Sequence, residues 1–187
     1  MTMTDNQKSA AERLNDIGRG AYESIADMVA ALNVDYDRLE ELRDERKNLQ
    51  DMIDGVDDDE RADAYAELAQ WQDENGDELA ELEGEAGDCE DRDEAERRIQ
   101  EDALSVQVRS GWYAPGDKHY ATDHPEEFKI LLNTGGPATR IIGQLDEYNQ
   151  PCSASLEAQD WFLPWTEYVN ADQDVLLDYA RCFYYGD

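Results

Sequence analysis

The sequence predicts an α+β protein built from two unlike parts: an acidic helical part over residues 1–103 and a small antiparallel sheet with one helix over residues 104–187. Three observations predict it. Apolar residues recur at spacings of three and four through the first hundred positions, the signature of one helical face. After Leu104 they alternate with polar residues instead, the period of a strand with one buried side. All five prolines and every tryptophan except Trp71 lie in the second part. Such a shift in composition marks a boundary near residue 103.

The helices follow in order. Ala10, Leu14, Ile17, Ala21, Ile25, Met28 and Leu32 line one face, and Asn33 ends the pattern. Asp35 or Asp37 then caps a second helix carrying Leu39, Leu42, Leu49, Ile53 and Val56, interrupted by Arg46. Gly55 and Asp57-Asp58-Asp59 make a turn and a new helix start, where acids suit the positive end of the dipole. A sparser stripe through Tyr65, Leu68, Trp71, Leu79 and Leu82 weakens at Asn75-Gly76-Asp77. A short fourth helix spans about Asp91 to Ala103 around Ile99. Stripes this narrow call for antiparallel packing along thin seams, as in a coiled-coil hairpin or thin bundle.

The second part yields four strands. Leu104, Val106 and Val108 alternate; so do Phe128, Ile130 and Leu132, stopping at Thr134-Gly135-Gly136-Pro137. A third strand runs from Thr139 to Leu145, and Cys152, Ala154, Leu156 and Ala158 form the fourth. Asp172 opens a last helix bearing Val175, Leu176, Tyr179, Ala180 and Phe183, closed by Gly186. A four-stranded meander with a helix across one face is the economical arrangement.

Charge dominates the function classes. Among 187 residues there are 47 acids and 16 bases, a net charge of −31. Direct binding to nucleic acid or to an anionic membrane is excluded on repulsion alone. The N-terminus has no apolar leader and no run is long enough to span a bilayer. Three cysteines without a CxxC pair suit a reducing cytoplasm.

The acids are concentrated. Residues 51–96 hold 21 of them against two bases, Arg61 and Arg92, which along one helix is roughly one acid per 3.3 Å. Folded back as two adjacent helices, the same segment would present roughly one charge per 1.7 Å, the density of duplex DNA. Solvation and halophilic adaptation are the plain alternatives. Halophilic acids, however, would cover the whole surface rather than one segment.

Catalytic groups are sparse. His119 and His124, near Asp117 and Asp123, match no zinc spacing. Cys152 is expected to be a buried, inert thiol without a histidine partner. The Gly135-Gly136 segment precedes a strand and lacks a P-loop lysine, so a hairpin turn explains it. No catalytic residue, metal or cofactor is expected, and the chain reads as a non-enzyme.

Aromatic side chains crowd the second part. Most belong to a small core, whereas Trp165 and Tyr168, in the LPWTEY loop beside Glu167, are expected to anchor an interface. The runs SGWYAPG, EEFKILLNTGGPATRIIGQLDEYNQP, QDWFLPWTEY and LLDYARCFYYG resemble small acidic proteins of bacterial phages and mobile elements. That resemblance covers residues 104–187 and implies a counter-defence role, of anti-CRISPR or antirestriction type, in the cytoplasm of a host bacterial cell.

The function expected is therefore an anti-defence inhibitor whose acidic helices mimic DNA and block a basic nucleic-acid channel. Its partner is a basic nucleic-acid-binding protein, or a CRISPR or restriction complex of the host, with a homodimer as a further possibility. The carboxylates expected to stand in for phosphates are Asp57, Asp58, Asp59, Glu60, Asp73, Glu74, Asp77, Glu78, Glu81, Glu83 and Glu85. The alternative is an interaction or oligomerisation adaptor that binds through the aromatic C-terminal domain.

Overall fold

A computed structural model describes residues 9–57, 59–110 and 124–186. Among them are five helices and five strands: α1 (Ala10–Leu32), α2 (Tyr36–Gly55), α3 (Arg61–Ala86), α4 (Arg92–Asp102), β1 (Ser105–Arg109), β2 (Glu127–Asn133), β3 (Ala138–Leu145), β4 (Pro151–Gln159), β5 (Thr166–Glu167) and α5 (Gln173–Ala180). The chain forms two compact units, one of residues up to Val29 together with Glu96 onward, the other Ala30–Ala95. Compactness thus divides the chain elsewhere than composition does, because the first part of α1 belongs with the sheet.

In the unit Ala30–Ala95, Asp35 caps α2 by accepting from the Arg38 N–H at 3.0 Å. The helices α2 and α3, joined by a short turn, pack as a hairpin. Val34, Leu39, Leu42, Leu79 and Ala86 form the buried seam, with Tyr36, Trp71 and Leu82 packed on it. The expected weak point at Asn75-Gly76-Asp77 is absent, and α3 is one helix of 26 residues. A helical glycine costs about 1 kcal/mol. Burying Leu79 to 3% exposure returns more than that, at about 1.5–3 kcal/mol for a fully buried side chain. The helix stops at Gly87, whose φ of 57° few other residues adopt and whose N–H bonds the Glu83 carbonyl.

In the other unit the strands form one antiparallel meander, ordered β1-β2-β3-β4-β5. Five strands are present rather than the four expected; β5 has only two residues, too few to show an alternation. Ile130 lies opposite Ile141, and Ile141 opposite Leu156. All three are fully buried, with Phe128 and Ala158, on the inner face. Gly135 and Gly136, at φ 104° and 87°, make the β2–β3 turn in a region that favours glycine.

Against β4 packs α5, capped by Asp172 through the Asp174 N–H at 2.9 Å. This helix ends at Ala180, not near Gly186 as the apolar spacing suggests. Its last turn tightens into i→i+3 bonds, Cys182 N–H to Tyr179 O and Phe183 N–H to Ala180 O. No helix among the described residues is long and apolar enough to cross a membrane.

Candidate partner-binding face

The acidic residues expected to meet a partner fall into three groups. Asp57, Asp59 and Glu60 are exposed at the turn before α3, where the Asp57 carbonyl accepts from the Glu60 and Arg61 N–H groups. Asp58 lies outside the described residues. The other seven are on α3, and the structure separates them by what they touch.

Glu78, Glu83 and Glu74 are already engaged. Arg38 of α2 forks both oxygens of Glu78, Nε to Oε1 at 3.1 Å and Nη2 to Oε2 at 2.9 Å, while its Nη1 reaches Glu41 at 2.7 Å. Hydrogen bonding from Arg38 holds the Glu78 carboxyl below its ordinary value. Glu83 accepts from Arg43 at 3.3 Å and Arg46 at 3.4 Å. Glu74 accepts from the Gln70 amide at 2.9 Å.

Asp73, Asp77, Glu81 and Glu85 are different. All four are exposed, and among the described residues none has a hydrogen-bond or ion-pair partner. They are four residues apart, which aligns them in one row with steps of about 6 Å. Adjacent like charges at this spacing destabilise a helix by about 0.2–0.5 kcal/mol per pair. Nothing in the hairpin compensates the row.

The charge density needs correction. Residues 51–96 do not fold back on themselves; α3 takes the more basic α2 as its partner. With seven acids and four bases on α2 and nine acids and one base on α3, the hairpin carries one net charge per roughly 3.5 Å of an axis about 39 Å long. That is about half the linear density of duplex DNA. Charge is nevertheless concentrated in this unit: Ala30–Ala95 holds 26 acids and 6 bases, −20 of the total −31.

Of the two aromatic anchors expected, Trp165 is half-buried with the Arg140 guanidinium 4.1 Å from its ring. Tyr168 is buried (9% exposed) and faces no solvent partner. Its ring packs on Tyr22 of α1 at 6.2 Å, and a methyl group at Gly18 would collide with it at 2.7 Å.

The exposed aromatics are instead Trp161 and Phe162, 64% and 102% exposed, with ring centroids 6.3 Å apart. Asp160 builds their turn by accepting from the Trp161 N–H at 2.8 Å and from Arg13 Nε at 3.0 Å. Their sequence signal was only the aromatic run itself, since a turn has no periodicity to sort outward from inward.

Cys152 is exposed rather than buried. The β3–β4 register slips between Gln144 and Leu145, so Pro151 takes the inward place opposite Leu145 and Cys152 turns out. His124 is exposed and His119 lies outside the described residues. Among the described residues no three His, Cys, Asp or Glu side chains are grouped to hold a metal ion.

No family model matches the sequence, no curated protein matches it, and no solved structure matches its fold.

Proposed function

We propose that the chain binds a basic, nucleic-acid-binding protein through the α3 carboxylate row and thereby excludes nucleic acid from it. The observation that carries this reading is the row Asp73, Asp77, Glu81 and Glu85, exposed and without partners among the described residues, beside Glu78 and Glu83, which arginines already neutralise. An uncompensated row of like charges weakens the free helix, and a complementary basic surface removes that penalty on binding. The α2–α3 hairpin, read as a short coiled coil, supplies a stiff support. Partial rather than full matching of DNA charge density makes the row a competitor for a few phosphate sites, not a replica of a whole duplex. In the counter-defence form of the proposal, the partner is a CRISPR or restriction complex of the bacterial host.

The test is retention of a nucleic-acid-processing complex on the immobilised chain. The proposal expects release by duplex DNA and by raised salt, and loss of retention in the variant Asp73→Asn/Asp77→Asn/Glu81→Gln/Glu85→Gln. Undiminished binding by that variant would sink it.

A second reading, an adaptor that binds through the C-terminal aromatics, draws support from Trp161 and Phe162 rather than from Tyr168. There, binding would survive the four neutralisations and salt, and disappear with Phe162→Ser.

A further inference from the structure

The face of the sheet opposite Ile130, Ile141 and Leu156 carries a different chemistry. Strand period and register lay its side chains out in rows across the sheet. Gln107, Lys129, Ile142 and Ser155 form the central row. Arg109, Glu127, Gln144 and Ser153 lie on one side of it, and Leu131, Arg140 and Glu157 on the other. A cavity of about 660 Å³ opens over the first two rows and Arg140, a size ordinary for small-molecule sites.

The charges on this face are arranged unequally. Arg109 is bonded to Glu127, and Arg140 holds Glu157 at 2.6–2.7 Å. Lys129, between them and half-buried, has no ion-pair or hydrogen-bond partner among the described residues. In a chain with 47 acids and 16 bases, a carboxylate partner is the least scarce resource available. Glu127 and Glu157, in the rows that flank the lysine's, are each taken by an arginine instead. Three of the four described bases after residue 104, all but Arg181, are gathered here.

We infer that this cavity binds a small organic anion, with the Lys129 ammonium between the Arg109–Glu127 and Arg140–Glu157 pairs as the charge that holds it. Gln107 stands beside Lys129 in its row and Ser155 lies beyond Ile142 at the row's other end, both with donor groups for the anion oxygens, and Ile142 gives the site an apolar floor. A half-buried, unpaired cation is costly unless a counter-charge meets it. The bound group is a carboxylate or a phosphate ester. A nucleic-acid strand does not fit, because one free cation flanked by two glutamates offers too little charge for successive phosphates.

The experiment is amide NMR on the full chain at constant ionic strength, titrated separately with inorganic phosphate and with succinate against a chloride control. Saturable shifts at Gln107, Lys129, Ile142 and Ser155 are expected with at least one anion below about 10 mM. Response to phosphate alone assigns a phosphate ester, and to succinate alone a carboxylate. Lys129→Gln should weaken binding at least about tenfold, the size of one lost charge-assisted hydrogen bond. Arg181→Gln, on α5's far end, should leave it unchanged. No saturable response to either anion, or equal binding by Lys129→Gln, would overturn the inference.

Discussion

Arg38 and Glu78 meet across the α2–α3 hairpin in a two-point contact, with both guanidinium-to-carboxylate distances at or below 3.1 Å. This pair neutralises one exposed carboxylate of α3, while its neighbours Asp77 and Glu81 are exposed and unpaired among the described residues. The same helix therefore carries acids that arginines of α2 neutralise and a row that none of them reaches.

Because Arg38 bonds the ionised form, Glu78 titrates below its ordinary value of 4.5. The pair's contribution to stability is then fully present above that value and is lost as pH falls through the depressed one. Arg38→Gln should bring the Glu78 carboxyl back up into the ordinary carboxylate range. Side-chain carbonyl NMR across an acid titration reads this directly. An unchanged Glu78 midpoint in the variant would show that Arg38 is not its cause. Both side chains are solvent-facing, so the accompanying change in stability should be small.

The outer row behaves in the opposite sense. Asp77→Asn with Glu81→Gln removes all three like-charge neighbours along Asp73, Asp77, Glu81 and Glu85. The variant should be more stable by about 1 kcal/mol at low ionic strength, from about 0.2–0.5 kcal/mol per relieved pair. Urea unfolding at low salt and again in about 1 M salt, where the Debye length falls to about 3 Å, should show the gain shrinking. A loss of stability at low salt would mean that these acids have partners inside the fold. Gain of stability with loss of partner binding is the combination expected of a functional row.

Much of this architecture was legible because period is a local property. Helices α1 to α4 and strands β1 to β4 appear where spacings of three and four, or of two, place them. What escaped was whatever depends on a second segment. Asn75-Gly76-Asp77 reads as a weak point until Leu79 and Leu82 are seen packed on α2. Cys152 shares the parity of Ala154 and Leu156, and only the register slip opposite Gln144 turns it outward. Tyr168 and Phe162 are six residues apart in one aromatic stretch; α1 packs on the first, and none of the described residues covers the second. The acidic row was visible as composition, but which acids are neutralised depends on the arginines that α2 brings to it.

Phe162 holds a left-handed backbone conformation, φ 63°, which costs a side chain with a Cβ about 1–3 kcal/mol. Its ring is fully exposed and returns little to the fold. Phe162→Gly should therefore leave stability unchanged or raise it by up to about 1 kcal/mol, the conformational relief offset by the freer unfolded chain. Gly136→Ala should do the reverse. At φ 87° the added methyl group meets the Trp161 indole at 2.5 Å, so a loss of about 2 kcal/mol or more is expected. Denaturant midpoints compare the two, and a destabilised Phe162→Gly would mean that the ring contributes to packing.

Tyr179 sits at the junction of α5 and α4, fully buried, donating its hydroxyl to Asp102 Oδ2 at 2.6 Å. Burial, then the hydrogen bond to Asp102, pushes the phenol far above its ordinary value of 10. Tyr185, whose hydroxyl donates to the Ala180 carbonyl at 2.7 Å, is pushed up chiefly by burial. Folding thus keeps both phenols neutral where the unfolded chain would ionise them. Their contribution is fully present below pH 10 and declines above it, since the unfolded state then releases protons that the folded state retains. Tyrosinate absorbance should show these two phenols ionising only together with alkaline unfolding. Tyr179→Phe should lower stability at neutral pH by about 1–3 kcal/mol, because Asp102 loses the donor to its charged oxygen. It should also flatten the decline above pH 10. A variant with wild-type stability at neutral pH and the same alkaline slope would show that the Tyr179–Asp102 bond does not tie α5 to α4.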